Sequence, residues 1–552
     1  MEFQVVQVSS LEKLRGDSIS QMNEVHEKTV LAGERLSYQV GVRSDRRMEA
    51  EVSVESELSD YVKLFFVKNA VMDLTTTERD MEGEDYITFE PGLMPDILVP
   101  AKEQNSQLTI FNEISTIWVR VDIPENITPG EYEIKIKVAF KNVWTPECPM
   151  SWAGQVMRVH VIPAVLPKQK LIYTRWFYAD CIAVQHQVEV YSEKHWELID
   201  QYIAAAVDGG MNMILVPVHT PPLDTAEGTV RPCVQLVDIK KDGSKYEFSF
   251  EKFRRFVGIC KKNGIEYFEI AHMFSQWGAK YAANIMVEEN GKKEYLFGWH
   301  VAANSAEYIE FLKQYIGAIS QELANEGISE KTYFHISDEP TLDAIETYKT
   351  ASDIIRPLIG ESKTFDALSK YDFYEKGLVA CPVTSVSHIR EFLEHKVENQ
   401  WCYYCCADER VVTNSFLAMP SHRTRVLGFL LYKYDIKGFL HWGYNFYNGR
   451  LSRYPVNPYL TTSGDGAFPS GDPFIVYPGK DTVYTSIRGE VFYDAIQDMD
   501  ICIALEHHIG REAVVSMIDS AAGKELKFDD YPKNKKFLEE LRDLMVKKLK
   551  ES

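Results

Sequence analysis

The chain has 552 residues, of which 45% are hydrophobic and 12% are aromatic, enough to bury more than one apolar core. At about 150 residues per domain, this length predicts two to four domains. The formal net charge of −21 repels phosphate backbones and anionic lipids, so the composition argues against nucleic acid or a membrane surface as a partner. The sequence therefore favours a neutral partner.

The sequence contains no predicted targeting or membrane segment. Its first ten residues carry neither a basic flank nor a sustained apolar run, and no later stretch approaches the roughly 18 apolar residues that span a bilayer. We therefore expect a cytoplasmic protein without membrane insertion.

The nine cysteines are an odd number scattered along the chain, a pattern that favours reduced thiols over a disulfide framework. The segment Cys402-Tyr-Tyr-Cys405-Cys406 resembles half of a zinc site, but no second CxxC or HxxxH motif supplies further ligands at a usual spacing. We expect no metal and no cofactor.

Residues 1–165 alternate between apolar and polar side chains in the manner of half-buried strands. The alternation is clearest over residues 132–140, which we expect to pair with residues 117–123 across the turn-forming segment 124–130. These patterns predict an N-terminal antiparallel β-sandwich.

Over residues 166–506, short apolar runs alternate with longer amphipathic stretches. Eight predicted strands separated by helical stretches indicate an α/β fold, a (β/α)8 barrel of the TIM type whose last helix lies within residues 486–506. Residues 507–552 are charged and helical, and we treat them as an appendage. The predicted strands cover residues 171–178, 212–216, 265–273, 332–337, 363–367, 377–383, 400–406 and 438–442. The predicted helices include residues 192–208, 251–263, 305–326, 342–355, 388–397 and 416–434.

Two adjacent carboxylates end the fourth predicted strand, in His335-Ile-Ser-Asp338-Glu339-Pro340. Barrel enzymes carry their reactive groups at this end of the strands, and a break at Pro340 would turn both acids toward one cavity. In a hexosaminidase that uses the 2-acetamido group of its substrate as nucleophile, one acid protonates the glycosidic oxygen on C1 while the other orients the amide on C2. Adjacent residues can reach these neighbouring atoms. The structural alternative is that Asp338 caps the next helix and Glu339 lies in its first turn.

Aromatic and polar residues crowd the ends of four predicted strands. Sugars present apolar C–H faces and hydroxyl rims, so aromatic side chains interspersed with Asn, Gln, Asp and His suit a carbohydrate ligand. Any one such cluster is more often part of a packed core, but four at corresponding positions favour an oligosaccharide or glycoconjugate substrate. The clusters are residues 174–178, 272–277, 401–404 and 441–447.

Several segments resemble the catalytic domain of glycoside hydrolase family 123. They are residues 171–180, His272-Met-Phe-Ser-Gln-Trp-Gly278, residues 335–340, Gly438-Phe-Leu-His-Trp-Gly-Tyr-Asn-Phe-Tyr447, residues 471–479 and Ser486-Ile-Arg488. The resemblance spans about residues 170–505 and implies a retaining, substrate-assisted β-N-acetylgalactosaminidase on a (β/α)8 barrel. It implies that Asp338 steadies the acetamido group and that Glu339 is the general acid and then the general base.

The aromatic candidates for sugar binding are Trp176, Trp277, Tyr404 and Trp442. Trp277 and Trp442 would lie under the sugar ring, and the alternative for both is a buried core position.

Polar candidates complete the predicted site. His272 and Asn445 would bind hydroxyls, with local loop hydrogen bonds as the alternative. Asp472 would hold the sugar O4 and O6 atoms, or else stabilise a turn. Asp366, at the end of the fifth strand, would hydrogen-bond substrate or the acid pair, or else pair with an arginine.

The residues therefore leave three possible functions open. The first is an exo-acting hydrolase that removes terminal β-linked N-acetylgalactosamine. The second keeps the barrel but pairs Glu339 with Asp366 or Glu490 in a conventional two-carboxylate mechanism on another sugar. The third is a carbohydrate-binding protein without turnover.

Overall fold

The computed structural model describes residues 3–16, 22–142, 151–360 and 364–551. Within these residues, no helix is both long enough and apolar enough to cross a membrane. The strands are β1 (Phe3–Ser9), β2 (Glu27–Ala32), β3 (Arg35–Ser44), β4 (Met48–Glu55), β5 (Val62–Met72), β6 (Gly92–Pro100), β7 (Gln107–Ile110), β8 (Ser115–Asp122), β9 (Gly130–Asn142), β10 (Ser151–Val165), β11 (Ile172–Arg175), β12 (Met213–Val216), β13 (Asp238–Asp242), β14 (Lys245–Ser249), β15 (Tyr267–Ile270), β16 (Ile285–Glu289), β17 (Lys292–Phe297), β18 (Thr332–Phe334), β19 (Phe365–Leu368), β20 (Cys381–Ser385), β21 (Trp401–Tyr403), β22 (Gly438–His441), β23 (Tyr477–Pro478) and β24 (Val483–Ser486).

The α-helices lie mainly between the later strands. They are α1 (Ala179–Gln185), α2 (Glu193–Asp208), α3 (Glu251–Asn263), α4 (Ala306–Asn325), α5 (Ile345–Ile359), α6 (Tyr371–Glu375), α7 (Ile389–Glu394), α8 (His422–Arg425), α9 (Leu427–Lys433), α10 (Ile487–Ile509), α11 (Arg511–Ala522) and α12 (Lys535–Glu551).

Two sheets form the first part of the chain. One has the strand order β1-β3-β8-β5-β6-β24-β23 and the other the order β2-β10-β9-β4-β7. Side chains from both, among them Val40 and Ile117 from the first sheet and Ile134 and Ile136 from the second, share one buried apolar cluster. The alternation predicted for residues 132–140 is therefore confirmed.

The predicted hairpin between residues 117–123 and 132–140 is wrong. Strand β8 pairs with β3 and β5, whereas β9 pairs with β4 and β10 in the other sheet. Segment 124–130 is not a tight two-residue turn, and the chain crosses here from one sheet to the other. The crossing lets the apolar faces of both strands enter the same cluster, which pairing within one sheet would not.

The predicted run of parallel strands is present in two sheets. One has the order β11-β22-β21-β20-β19 and the other the order β12-β15-β18, and the pairs within both are parallel. A parallel bridge from Phe334 to Thr364 connects β18 to the start of β19, and the Asn212 amide N–H donates to the Tyr173 carbonyl at 3.1 Å beside β11. Within the described residues, the hydrogen-bonded pairs of parallel strands do not form a complete ring, so a closed barrel stays a prediction. The fifth predicted strand, residues 363–367, begins outside the described residues.

Most predicted helices are confirmed, and their ends have local causes. The Ser192 side chain accepts a hydrogen bond from the His195 amide and caps α2, while Gly264 ends α3 with a φ of 105°, which favours glycine. The prediction of one helix over residues 416–434 is wrong, because helical structure starts only at His422, after Pro420. The four-stranded sheet of β13, β14, β16 and β17 is not predicted from the sequence.

Later parts of the chain pack closely on the N-terminal sheets. Strand β24 pairs with β6, and Arg488 at the start of α10 binds the Asp96 carboxylate with an Nη2–Oδ2 distance of 2.9 Å. Arg542 on α12 forms a buried ion pair with Glu34. Helix α10 itself continues to Ile509, so the domain boundary expected after residue 506 falls within this helix.

Candidate active site

A cavity of about 120 Å3 lies at the carboxyl ends of the parallel strands. Most residues of its wall lie at or just after the carboxyl ends of β11, β12, β15, β18, β21 and β22. Because these strands are parallel, their carboxyl ends meet at one edge although they are far apart in sequence. The residues lining it are Trp176, Tyr178, Leu223, Asp224, Gln276, Trp277, Asp338, Glu339, Ala367, Tyr403, Cys405, Cys406, Leu440, Trp442 and Phe468.

Asp338 and Glu339 both line this cavity although they are adjacent in sequence. Strand β18 ends at Phe334, and Glu339 has a φ of 37°, in the left-handed region that non-glycine residues seldom adopt. This turn lets neighbouring carboxylates face one space. The structural alternative for Asp338 is wrong, because the next helical turn begins at Leu342 and its N-cap residue is Thr341.

The environment raises the pKa of both acids, and the charge of His335 opposes this increase at Asp338. Burial, together with the charge of Glu339, raises the pKa of Asp338 well above its usual range. Burial also raises the pKa of Glu339, and the carboxylates of Asp408 and Asp472 add to the increase, while a hydrogen bond from the Tyr403 hydroxyl to Glu339 Oε1 opposes it. A raised pKa favours the protonated form of Glu339 that general acid catalysis needs.

A buried network of charges lies directly beneath the acid pair. His335 Nε2 is 2.9 Å from Glu269 Oε2, and His335 Nδ1 is 3.1 Å from Asp366 Oδ1, with all three side chains fully buried. Burial alone would lower the pKa of His335, but the hydrogen bonds to Asp366 and Glu269 outweigh it and raise the pKa to about 9. His335 is therefore an imidazolium at neutral pH, and its charge also lowers the pKa of the nearby Asp338.

Asp366 lies below the cavity rather than on its wall. Its side chain is fully buried and accepts hydrogen bonds from the amide of Ile336 at 3.1 Å and from the hydroxyl of Tyr348 at 2.5 Å. Since Ile336 belongs to the segment that leads into Asp338, Asp366 holds the backbone that carries the acid pair. Asp366 is not part of the cavity wall, so it is not placed to bind substrate directly.

His272 also lies outside the cavity wall. Its ring stacks on His335 at a centroid distance of 4.0 Å, it is 1% exposed, and burial lowers its pKa well below the usual value. The ligand atoms of His272, His335 and Asp366 lie within 4.8 Å of one another, close enough for a metal ion. Both ring nitrogens of His335 already bind carboxylates, so a metal would have to displace these bonds. We assign no metal to this group.

Three tryptophans predicted from the sequence do line the cavity. The Trp176 indole N–H donates to Glu269 Oε2 at 3.1 Å, and the Trp442 indole N–H donates to Asp472 Oδ2 at 2.8 Å, so both rings are fixed by buried carboxylates. Trp277 is 48% exposed, and its amide donates to the Asp338 carbonyl at 2.9 Å. An exposed tryptophan beside two rigid ones is typical of a carbohydrate cleft.

Comparison with known proteins identifies the family. Residues 176–505 match the model of the glycoside hydrolase 123 catalytic domain. The chain belongs to glycoside hydrolase family 123. Residues 11–140 match the model of the family's N-terminal domain. The chain is a glycoside hydrolase, and the sequence resemblance is confirmed.

One solved structure of a family 123 enzyme has a similar fold. This structure is of a family 123 glycoside hydrolase from Clostridium perfringens, and it is described as giving the details of glycolipid glycan hydrolysis. Its sequence is 17% identical to this chain. The alignment covers 100% of this chain and 98% of the Clostridium chain, with a TM-score of 0.72. A β-glucuronidase from Parabacteroides merdae is 10% identical, covers 91% of this chain and 51% of its own, and has a TM-score of 0.29. No curated protein sequence matches this chain.

Three further predicted residues lie behind the wall of this family 123 site. The side chain of Asn445 accepts from the Tyr178 amide at 2.9 Å and donates to the Tyr178 carbonyl at 3.0 Å, so it holds the backbone of a cavity residue. Asp472 is 2% exposed, and its burial raises its pKa to about 7. Tyr404 is fully buried and packs on Phe439 at a centroid distance of 4.9 Å.

The family 123 cavity contains polar residues that the sequence analysis did not name individually, among them Tyr403, Gln276 and Asp224. Tyr403 rather than Tyr404 contacts Glu339, and alternation along β21 allows either tyrosine to face the cavity. Gln276 directly precedes Trp277, a predicted site residue, so this neighbour could have identified Gln276 as a further candidate. Asp224 lies in a long loop after β12, where no sequence pattern distinguishes it.

Proposed function

We propose that the enzyme removes a terminal β-linked N-acetylgalactosamine by a retaining, substrate-assisted mechanism. The observation that carries this proposal is the position of adjacent Asp338 and Glu339 on the wall of one cavity. In this mechanism no enzyme carboxylate attacks carbon, so two neighbouring acids suffice. The similar family 123 enzyme from Clostridium perfringens is described as hydrolysing glycolipid glycans, which agrees with a glycoconjugate substrate.

The first step breaks the bond between C1 and the glycosidic oxygen. The carbonyl oxygen of the 2-acetamido group attacks C1, and Glu339 gives its proton to the departing oxygen. Asp338 accepts a hydrogen bond from the amide N–H and stabilises the positive charge of the oxazolinium ion. The product of this step is the oxazolinium ion, which keeps its N–H bonded to Asp338 and remains in the cavity.

The second step restores both the acid and the sugar. Glu339, now a carboxylate, takes a proton from water while the water oxygen bonds to C1 and the oxazoline ring opens. Two inversions at C1 leave the β configuration unchanged. The hydrogen bond from Tyr403 to Glu339 supports this role, because it stabilises the carboxylate form that the second step needs.

The conventional alternative finds little support in the positions of its carboxylates. Asp366 is buried beneath the site, and Glu490 lies on α10, where it faces Arg120 with an Nη1–Oε1 distance of 3.4 Å. Asp224 is the one further carboxylate among the described residues of the cavity wall, so an experiment has to separate the two mechanisms. Membership of a hydrolase family argues against binding without turnover.

The test uses a panel of aryl β-glycosides that differ only at C2 and C4. We expect hydrolysis of the N-acetyl-β-galactosaminide, none of the β-galactoside, and inhibition by the N-acetylgalactosamine thiazoline, which mimics the oxazoline. Comparable cleavage of the galactoside would refute the substrate-assisted mechanism. Preference for the N-acetylglucosaminide would refute only the assignment at C4.

The proposal also includes the fold of the two parts of the chain. We propose that the two sheets of parallel strands close into a (β/α)8 barrel within residues 166–506 and that the N-terminal sheets form a β-sandwich within residues 1–165. Hydrogen exchange in the presence of N-acetylgalactosamine, with protection limited to loops of residues 166–506, would support a substrate site contained in the barrel.

A further inference from the structure

Asp224 and Gln276 form a second polar group on the cavity wall, apart from the acid pair. The Gln276 side chain is 7% exposed, and its Nε2 donates to the Thr225 carbonyl at 3.1 Å. Its Oε1 is buried and has no hydrogen-bond partner in the described part of the chain. A buried acceptor without a partner is costly, so a ligand donor at this position would satisfy it.

Asp224 is held beside this acceptor by a strained contact between two loops. Its Oδ2 accepts from the Leu451 amide at 2.9 Å, and its carbonyl accepts from the Ser452 hydroxyl at 2.7 Å. Asp224, Leu451 and Ser452 all have positive φ, at 37°, 60° and 50°. Strain of this kind persists where the surroundings fix a side chain in one place, and functional sites are common examples.

The chemistry of this wall selects hydroxyl donors. Asp224 and the free oxygen of Gln276 are both acceptors, and among the described residues of the cavity wall none carries a basic side chain. Arg231 is buried outside the cavity wall, where it is 3.5 Å from Asp180 and donates to the Pro221 carbonyl, and Arg450 is exposed outside the wall. An anionic group on the sugar would therefore meet carboxylates and a carbonyl without a cation to pair with.

We propose that Asp224 and Gln276 bind a hydroxyl of the same sugar ring that carries the acetamido group, and that they make the enzyme select neutral N-acetylhexosamines over their sulfate esters. The inference rests on the proposed function and extends it to the substrate class. It assigns a specificity role to two residues outside the acid pair. Burial raises the pKa of Asp224 to about 6, so this acceptor is an anion at neutral pH.

The experiment compares aryl N-acetyl-β-galactosaminide with its 4-sulfate and 6-sulfate esters, using the full-length enzyme. We expect the wild type to prefer the neutral substrate at least about tenfold in kcat/KM. Asp224→Asn keeps an oxygen for the Leu451 amide, so it should fold. It should raise KM for the neutral substrate about ten- to hundredfold, since a hydrogen bond to a charged acceptor is lost, and reduce the preference over the esters.

Gln276→Met removes the free acceptor at nearly constant size and should also raise KM for the neutral substrate, so it decides the matter if Asp224→Asn fails to fold. Asp242→Asn, at an exposed carboxylate on β13, is the matched control and should change neither KM nor the preference. Equal rates on neutral and sulfated substrates in the wild type would overturn the inference, as would unchanged KM values and preference in the folded variants.

A turnover-independent measurement separates this inference from the proposed function. Titration calorimetry with free N-acetylgalactosamine and its 6-sulfate reports binding alone. If the wild type neither binds nor cleaves any N-acetylhexosamine derivative, the proposed function fails. If it binds and cleaves them while the Asp224 and Gln276 variants behave as the wild type, only the present inference fails.

Discussion

Replacement of Asp338 by asparagine separates charge from shape at the catalytic pair. Asp338 lines the cavity and is not the N-cap of the following helical turn, whose cap is Thr341. The folded protein raises the pKa of Asp338, so ionisation of this group opposes folding once the pH exceeds its unfolded value. Asp338→Asn should therefore be at least as stable as the wild type at pH 7, whereas loss of a helix cap would cost about 0.5–2 kcal/mol.

The same substitution should reduce turnover strongly. In the proposed mechanism, the charge-assisted hydrogen bond to the acetamido N–H forms most fully in the transition state and contributes about 2–4 kcal/mol, so kcat should fall by a factor of about 30 to 800. Glu339 raises the pKa of Asp338, and asparagine does not ionise, so the variant should lose the contribution of Asp338 to the pH profile of kcat.

The assays are thermal unfolding, calorimetric binding of N-acetylgalactosamine, and the pH dependence of kcat and kcat/KM. A matched control is Asp242→Asn, which removes an exposed charge and should leave all three unchanged. A variant that is destabilised by more than about 1 kcal/mol, or one that keeps wild-type kcat, would refute the catalytic assignment of Asp338.

Three further predictions concern its neighbours. Glu339→Gln should slow substrates with poor leaving groups by about a hundred to ten thousandfold but nitrophenyl glycosides far less, and equal losses in steady-state assays would contradict a general acid role. Tyr403→Phe removes the hydrogen bond that lowers the pKa of Glu339, so the alkaline limb of kcat/KM should move to higher pH. The pKa of His335 is raised to about 9, so its stabilisation should be complete below about pH 6.5 and lost as the pH rises through 9. Urea unfolding should show this decline in the wild type and not in His335→Gln.

The sequence by itself determined the local elements and the nature of the acid pair. Helix α3 ends at Asn263 as predicted, because its apolar spacing and Gly264 act within a few residues. The adjacency of Asp338 and Glu339, with a proline directly after them, predicts a pair of acids that act on neighbouring atoms of a substrate. These features are short-range, so periodicity and residue type are sufficient to recognise them.

Only the tertiary structure decided which polar residues face the cavity. Tyr403 and Tyr404 are neighbours on one short strand, and packing alone places the first against Glu339 and the second against Phe439. Asp366 lies near the start of β19 rather than at its end as predicted, and it binds His335 from below instead of reaching the cavity.

Long-range contacts explain the remaining differences. Asp224 reaches the cavity because a loop more than 200 residues further along the chain holds it, through the Leu451 amide. The strand that follows segment 124–130 crosses to a second sheet because both apolar faces gain burial in one cluster. Such outcomes depend on the sum of contacts between distant segments, and this sum is set only when the whole chain packs.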